Sequence, residues 1–234
     1  MVLDPGTQSD GRMSGLQPAV DVRLVLFSLG QGELWVALAH SDEGWELPSV
    51  SLNIGESLDG AAMRALRDRL GAELRYIEQL YSLAIENGDA PAVLIAYLGI
   101  AEGRVSDLPN ARAAWFSVAN LPDVSAIDTK IIEYAIVRLR AKLGYTTVAF
   151  HLLPKTFSLS ELQQVYEIVL GRALDKRNFR RRIQSAEILE STAETRREGS
   201  HRPAQLYQFR AVHDADAYLT PVWASGPDGE STQS

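Results

Sequence analysis

The stretch 55–72, GESLDGAAMRALRDRLGA, concentrates charged side chains at helical spacing. Several carboxylates on one helical face can hold Mg²⁺ against the phosphates of a nucleotide. Positions 65, 68 and 69 lie three and four residues apart, so we expect them to share such a face. They are Ala65, Asp68 and Arg69, which supply one short carboxylate and one guanidinium that cannot deprotonate. The stretch therefore predicts poor binding of a divalent cation.

The same stretch resembles the Nudix box, G-x5-E-x7-R-E-U-x-E-E-x-G-U, where U is a bulky aliphatic residue. The three metal-binding glutamates of its R-E-U-x-E-E core are replaced here, and Ser49 and Val50 stand where two glycines usually lie. The resemblance implies a Nudix-like α/β/α sandwich that binds a nucleotide without efficient hydrolysis, with no catalytic residue and no resident metal. The matching residues are Leu47, Pro48, Gly55, Glu56, Ser57, Arg64, Leu66 and Gly71.

An ordinary amphipathic helix is the alternative interpretation of this stretch. Its apolar residues recur at helical spacing, and a buried helix face explains that pattern without any ligand. These residues are Leu58, Ala62, Ala65, Leu66 and Leu70.

Arginines and aromatic residues of the first half of the chain are the candidate contacts to a nucleotide effector. Arg67 and Arg69 could hold diphosphate oxygens, because a guanidinium matches phosphate geometry, although a solvated helix surface is the alternative. Glu56 and Arg64 lie at Nudix positions that normally pair and brace a loop, so a structural role competes with binding. Arg23, Trp45, Trp115 and Phe116 could line an adenine site, but each is equally explained as a core residue. The full set of effector candidates is Arg23, Trp45, Glu56, Arg64, Arg67, Arg69 and Trp115.

Charge is distributed unevenly along the 234 residues, whose formal net charge is −7. Residues 1–149 contain 12 basic and 19 acidic side chains, whereas residues 150–210 contain 11 basic and 7 acidic ones. Residues 211–234 add four acids and no base. A basic module thus follows an acidic one, and this asymmetry indicates a nucleic-acid contact in the basic module.

Composition excludes several classes of site. The chain has no cysteine, which rules out a disulfide, a thiol nucleophile and a cysteine-based zinc site. Its four histidines are scattered without ligand spacing. Hydropathy predicts no membrane span and no signal peptide, so we expect a cytoplasmic protein without a membrane partner.

The remaining patterns predict an α+β protein. We expect a disordered extension over 1–17, a Nudix-like effector domain over 18–148, a winged helix-turn-helix domain over 149–210 and a flexible acidic tail over 211–234. Gly144 should end the long helix, and Asn87-Gly88-Asp89 should turn a hairpin. The elements predicted for the first domain are strands at 20–29, 34–40, 74–85, 92–100 and 113–118, the Nudix helix and a helix at 127–143.

The second domain follows the order helix, turn, helix, hairpin, which is typical of a winged helix-turn-helix. Ser160 is the expected N-cap of its first helix, and Gly171 its end. Asp175 should cap the second helix, with Leu174 and Phe179 forming a hydrophobic staple. The apolar face of the first helix consists of Leu162, Val165, Tyr166, Val169 and Leu170, and short strands are expected at 188–190 and 206–209.

Basic and amide side chains on the second helix are the candidate contacts to DNA. Phe179, Ile183 and Ala186 should face the core and leave the opposite face to read the major groove. Arginines in the polar loop between the two strands should contact phosphate or the minor groove; a solvated basic helix is the alternative. The DNA-binding candidates are Lys176, Arg177, Asn178, Arg180, Arg181, Gln184, Arg196, Arg197 and Arg202.

A Nudix-like domain joined to a winged helix resembles the NrtR family, the Nudix-related regulators of NAD metabolism. The similarity spans residues 20 to about 210 and is most specific in FSLSELQQVYEIVLGRALDKRNFRRRI and RPAQLYQF. It implies a homodimeric repressor of NAD biosynthesis or salvage genes, which binds double-stranded DNA at a palindromic operator. It also implies ADP-ribose or a related nucleotide as the effector in the former catalytic cleft, release from DNA as its effect, and no required cofactor.

Two other functions remain open from the residues themselves. The chain could be an active Nudix hydrolase of nucleoside diphosphate derivatives, or a catalytically silent module whose basic half binds RNA or protein. For the dimer contact we favour the helix at 127–143, because its apolar residues cover more than one narrow face of the helix. Burial of this helix within its own domain explains the pattern nearly as well.

Overall fold

The computed structural model describes residues 19–87, 90–102, 105, 108–144, 146–196 and 203–210. The predictions for the N-terminal extension, the acidic tail and the central residues of the 87–89 turn lie outside this part of the chain. So do those for Arg197, His201 and Arg202.

A seven-stranded mixed sheet forms the body of the first module. Its order is β3-β2-β1-β6-β5, with β4 paired to β1 and β7 paired to β2. The central strand β1 runs parallel to β6 and antiparallel to β2, which explains why β1 is apolar on both faces. The strands are β1 (Ala19–Gly30), β2 (Glu33–Ser41), β3 (Gly44–Glu46), β4 (Ser49–Ser51), β5 (Leu74–Asn87), β6 (Ala90–Ala101) and β7 (Ala113–Ser117).

Helices cover both faces of this sheet. Alternate residues of β1 point to opposite faces: Leu24 belongs to the apolar cluster that includes α1 (Leu58–Ala65), and Val25 to the cluster that includes α2 (Ala126–Leu143). The α1 helix continues into a π-helical turn at Leu66–Leu70, which Gly71 ends at φ 69°. These layers form the predicted α/β/α sandwich. None of the described helices is both long and apolar enough to cross a membrane.

A winged helix-turn-helix follows, and its core is continuous with the core on the α2 side of the sheet. Leu162, Tyr166 and Val169 form the buried face of the first helix, as expected. The elements are a 3₁₀ turn (Val148–Leu152), β8 (Phe157–Ser158), α3 (Leu159–Leu170), α4 (Lys176–Ser185), β9 (Leu189–Arg196) and β10 (Ala204–Phe209), with the three strands in the order β8-β10-β9.

The predicted cap of α3 was wrong by two residues. Ser158, not Ser160, is the N-cap: its hydroxyl accepts a hydrogen bond from the Glu161 amide at 3.1 Å, and the Glu161 carboxylate accepts one from the Ser158 amide at 2.8 Å. Ser158 also pairs with Leu206 in the small sheet, and this pairing holds it in the extended conformation that an N-cap needs.

Gly144 ends α2 as predicted, in a right-handed conformation at φ −70°. Two smaller predictions fail for local reasons. Ala186 is exposed because α4 ends at Ser185, before the next turn would bury it. Ala65 is fully buried whereas the Asp68 side chain is 49% exposed, so positions 65, 68 and 69 do not form one accessible face.

Candidate nucleic-acid interface and nucleotide cleft

The helix α4 is fixed at its start and along one face. The Asp175 carboxylate accepts a hydrogen bond from the Asn178 amide at 2.8 Å, which caps the helix as predicted. Phe179 and Ile183 are buried, and the Phe179 ring packs edge-on against Tyr166 of α3 with centroids 5.3 Å apart. These contacts orient the opposite face of α4 to the outside.

That outer face of α4 is basic and exposed. Arg177, Arg181 and Gln184 are exposed, and the Arg181 guanidinium donates to the Asn178 side-chain oxygen at 3.0 Å. Guanidinium groups and amides offer the donors that read guanine and adenine edges, and the arginines can equally bind phosphate. An open groove of about 710 Å³ runs along this face, lined by Lys176, Arg177, Arg180, Arg181, Gln184 and Ser185.

Arg196 lies elsewhere than predicted. It is the last residue of β9 rather than part of the loop. Its guanidinium donates to the Glu161 carboxylate at 2.9 Å and to the Thr156 carbonyl oxygen at 3.4 Å. Two N–H groups of the guanidinium are therefore held by the body of the module.

Glu56 and Arg64 brace the loop ahead of α1. The Glu56 carboxylate accepts two hydrogen bonds from Arg64, at 2.9 and 2.7 Å, and a third from the Asn53 amide at 3.0 Å. Arg64 also donates to the Ser51 carbonyl oxygen at 2.7 Å. The hydrogen bonds from Arg64 and from Asn53 lower the pKa of Glu56 to about 2. This geometry favours the structural role that competed with effector binding.

Two neighbouring ion pairs join β1, β3, the π-helical turn and α2, and this group of side chains is called the cleft below. The Arg69 guanidinium donates to the Glu46 carboxylate at 2.5 Å. The Arg23 guanidinium pairs with Asp128, whose other oxygen accepts from the Leu47 amide at 3.3 Å. Burial raises the pKa of Glu46, and the charge of Arg69 offsets part of that effect. The cleft therefore combines two arginines with one buried carboxylate, Asp128, and one partly exposed carboxylate, Glu46.

Sequence reasoning missed both acids of these pairs. Asp128 lies 105 residues from Arg23, and Glu46 lies 23 residues from Arg69, so no local spacing indicated either contact. One usable signal was Ser125: its hydroxyl accepts from the Asp128 amide at 3.1 Å, which places Asp128 in the first turn of α2.

The cleft residues do not fit the magnesium cage that a Nudix fold implies. Ala65 has no oxygen ligand and is fully buried. Asp68 lies 3.1 Å from Arg67, and Glu46 and Glu56 are each bound by an arginine. Hard cations need free oxygen ligands, and here guanidinium groups occupy those oxygens. Over the ranges that the structure describes, no group of three or more histidine, aspartate and glutamate side chains could hold a metal ion.

The two tryptophans proposed for an adenine site lie against different cores. Trp45 packs edge-on against Phe116 with centroids 4.8 Å apart, on the α2 side of the sheet. Trp115 precedes Phe116 in β7 and packs into the cluster on the α1 side. Adjacent strand residues point to opposite faces, so Trp45 and Trp115 do not lie together.

Known proteins resemble this chain over most of its length. The model of the NrtR DNA-binding winged helix domain matches residues 149–209. The "ADPR responsive transcriptional repressor NtrR" of Acinetobacter baylyi is 30% identical over 213 residues, which is 85% of this chain and 84% of that protein.

Two solved structures share the fold. NrtR of Shewanella oneidensis, crystallised with a 27mer DNA, is 27% identical with a TM-score of 0.73, covering 86% of this chain and 97% of its own. A MutT/nudix family protein from Enterococcus faecalis is 18% identical with a TM-score of 0.63, covering 89% of this chain and 90% of its own, a likeness of fold alone. The predicted fold class, a Nudix-like sandwich followed by a winged helix, is thereby confirmed. The chain belongs to the NrtR family of Nudix-related transcriptional regulators.

Proposed function

We propose that this chain is a transcriptional repressor that binds double-stranded DNA through α4 and is controlled by ADP-ribose or a related nucleotide in its Nudix-like module. The observation that carries the proposal is the outer face of α4, where Arg177 and Arg181 are exposed on a helix held by buried Phe179 and Ile183. Electrostatic attraction to phosphate supplies affinity, and the same side chains can reach base edges.

The relatives support the two ligands. The Acinetobacter protein is named an ADPR-responsive repressor, and the Shewanella protein was crystallised with DNA. We assign effector binding to residues 18–148 and DNA binding to residues 149–210. The resemblance to the family makes genes of NAD biosynthesis or salvage the expected targets, and the protein is expected to need no cofactor.

The effector site is proposed around the cleft arginines, chiefly Arg69 and Arg23. Oxygens of a diphosphate would compete with Glu46 for Arg69 and with Asp128 for Arg23, because guanidinium binds either kind of anion in the same geometry. Since Asp128 lies on α2, a change at this pair alters the contacts of that helix. The nucleotide controls DNA binding only as far as it prefers one arrangement of the two modules.

A homodimer would present two copies of α4 to the half-sites of a palindrome, about 34–36 Å apart. Exposed apolar side chains on α2 favour this helix as the contact: Tyr134 is 47% and Val137 59% exposed. Val137→Asp should shift the protein towards monomer in sedimentation velocity, because it places a charge in the proposed interface. An unchanged sedimentation coefficient would show that the dimer contact does not involve Val137.

Fluorescence anisotropy with promoter DNA of NAD-pathway genes tests the proposal. At about 150 mM salt, we expect the full chain to bind the promoter at least about 10³-fold more tightly than scrambled DNA of the same length. ADP-ribose should weaken that binding, while AMP at the same concentration serves as a control. Equal affinity for both DNA sequences would overturn the repressor assignment.

Incubation with ADP-ribose and Mg²⁺ separates the repressor from the hydrolase. We expect the nucleotide to be recovered intact. Turnover in the usual enzymatic range, about 1–10³ s⁻¹, would instead support the hydrolase.

A further inference from the structure

Arg196 anchors the outer end of β9 to the start of α3. Its guanidinium donates to one oxygen of Glu161 at 2.9 Å and to the Thr156 carbonyl oxygen at 3.4 Å. The Glu161 side chain is only 15% exposed and that of Arg196 39% exposed. The ion pair is thus partly withdrawn from water, where it is screened less than a surface pair.

Glu161 serves two elements with its two oxygens. One accepts from Arg196, and the other accepts from the Ser158 amide at 2.8 Å as part of the capping box of α3. Ser158 itself pairs with Leu206 of β10. A single carboxylate therefore joins the first turn of α3, the small sheet and the end of β9.

The outer half of β9 also pairs with β10: Ala204 lies opposite Arg196 and Gln205 opposite Thr195, and the Gln205 side chain donates to the Glu194 carbonyl oxygen at 3.2 Å. Residues 193–195 are exposed, and the pairing of β9 with β10 shifts register between Gln205 and Tyr207. At the start of α3, the Arg180 guanidinium of α4 also donates to the Ser160 hydroxyl at 3.3 Å. The start of α3 is thus the place where the β9–β10 hairpin and α4 are held relative to each other.

We propose that Arg196 is a positioning residue, which sets the β9–β10 hairpin relative to α4 through Glu161 and does not itself neutralise a phosphate. The inference rests on the proposed DNA binding. Two of the five N–H donors of the Arg196 guanidinium are already held, one by Glu161 and one by the Thr156 carbonyl oxygen. The ion pair is net neutral as it stands, so Arg196 adds little to the attraction between protein and DNA.

The two roles predict opposite effects of removing the acid. Glutamine is accepted at this position of a capping box, so Glu161→Gln keeps the start of α3 while it loses the ion pair. If Arg196 contacts phosphate, Glu161→Gln frees it and removes a negative charge, so DNA binding strengthens. If Arg196 is a positioning residue, Glu161→Gln weakens binding by up to about five-fold, the upper limit for a single exposed ion pair.

The experiment measures the affinity of the full chain for promoter DNA between about 50 and 200 mM KCl. We expect Glu161→Gln and Arg196→Ala to weaken binding to the same extent, and the double variant to bind like either one. The salt dependence should stay that of the wild type. A fall in the slope of log K against log[salt] by about 0.9 in Arg196→Ala would indicate a lost phosphate contact and overturn the proposal. This slope decides the question even if Glu161→Gln fails to fold.

Arg196→Lys keeps the positive charge and tests whether the side chain at position 196 acts through Glu161. With Glu161 in place, lysine should recover part of the affinity lost in Arg196→Ala; in the Glu161→Gln background, lysine and alanine should bind alike. Recovery in both backgrounds would indicate a direct contact with DNA. Glu194→Gln, at an exposed position of β9, is the matched control and should not weaken binding. If the wild type binds promoter and scrambled DNA equally well, the proposed function itself is wrong.

Discussion

The Nε atom of Arg140, in the last turn of α2, donates a hydrogen bond of 2.8 Å to the carbonyl oxygen of Val169 in the last turn of α3. Carbonyls at a helix end lack an intrahelical partner, and a cation there also opposes the negative end of the helix dipole. At its other end, α2 holds Asp128, the partner of Arg23 in the cleft. One helix thus connects the proposed nucleotide site with the turn that leads to α4.

Arg140→Ala should weaken the response of DNA binding to ADP-ribose. Loss of one such hydrogen bond removes about 0.5–1.5 kcal/mol of coupling between α2 and α3. Anisotropy titrations with and without ADP-ribose give the response as a ratio of two dissociation constants, and this ratio should fall towards one. Arg138→Ala is the control, because Arg138 lies on the same helix but pairs with Glu78 at 3.6 Å. Equal ratios in the wild type and Arg140→Ala would show that this hydrogen bond does not couple ADP-ribose binding to DNA binding.

Arg177→Ala and Arg181→Ala should each weaken promoter binding by about 1–3 kcal/mol if a bidentate contact to a base is lost. The loss should be largest on the natural sequence, whereas loss of a phosphate contact would affect all sequences alike. Arg112→Ala is a suitable control: it removes the same charge from an exposed arginine of the Nudix-like module, which pairs with Asp42. Unchanged affinity in both α4 variants would contradict the role assigned to this helix.

Arg69→Ala should weaken ADP-ribose binding, measured by isothermal titration calorimetry, by about 1.5–3 kcal/mol, the usual range for a hydrogen bond to a charged group. Arg67→Ala should have the smaller effect, because the Arg67 side chain is 70% exposed and its Nε donates to Asp68. A larger loss of affinity in Arg67→Ala than in Arg69→Ala would place the diphosphate on the outer side of the π-helical turn.

Ser158→Ala should destabilise the protein by about 0.5–2 kcal/mol, since it removes the side-chain acceptor of the α3 cap. Ser160→Ala should cost much less, because Ser160 is exposed and its hydroxyl only accepts a 3.3 Å hydrogen bond from Arg180. Urea unfolding of the two variants makes the comparison. Equal losses of unfolding free energy in the two variants would contradict the assignment of Ser158 as the N-cap.

Glu56→Gln should lower stability at neutral pH and less so in acid. The folded protein holds the pKa of Glu56 at about 2, below its ordinary value, so the ionised form bound to Arg64 stabilises the fold. That contribution is complete above the ordinary pKa of glutamate and is lost as the pH falls towards 2. Urea midpoints of variant and wild type should therefore converge between about pH 5 and pH 2. Glu133→Gln, on an exposed position of α2, should show no such convergence.

Local chemistry was enough to predict most elements, because each has its own chemical cause. Gly171 adopts the left-handed conformation that ends α3, at φ 69°, and the Asp175 carboxylate caps α4. The nearly continuous apolar runs along β1 and β6 follow from the burial of these strands on two faces. Glu56 and Arg64 could also be paired in advance, since eight residues separate them within one motif.

The larger errors come from contacts between segments distant along the chain. Ser158 is the cap because β10 holds it extended, and Arg196 belongs to β9, where it pairs with Glu161. Glu46 and Asp128 became visible as site residues only when the fold placed them beside Arg69 and Arg23. No spacing within a single segment contains that information.

Ala65 is fully buried on α1, alongside Ala61 and Ala62. A glutamate there would have to take a carboxylate out of water, which costs several kcal/mol unless a partner meets it. An acid introduced at this point would therefore destabilise the fold unless the surrounding side chains first made room for it.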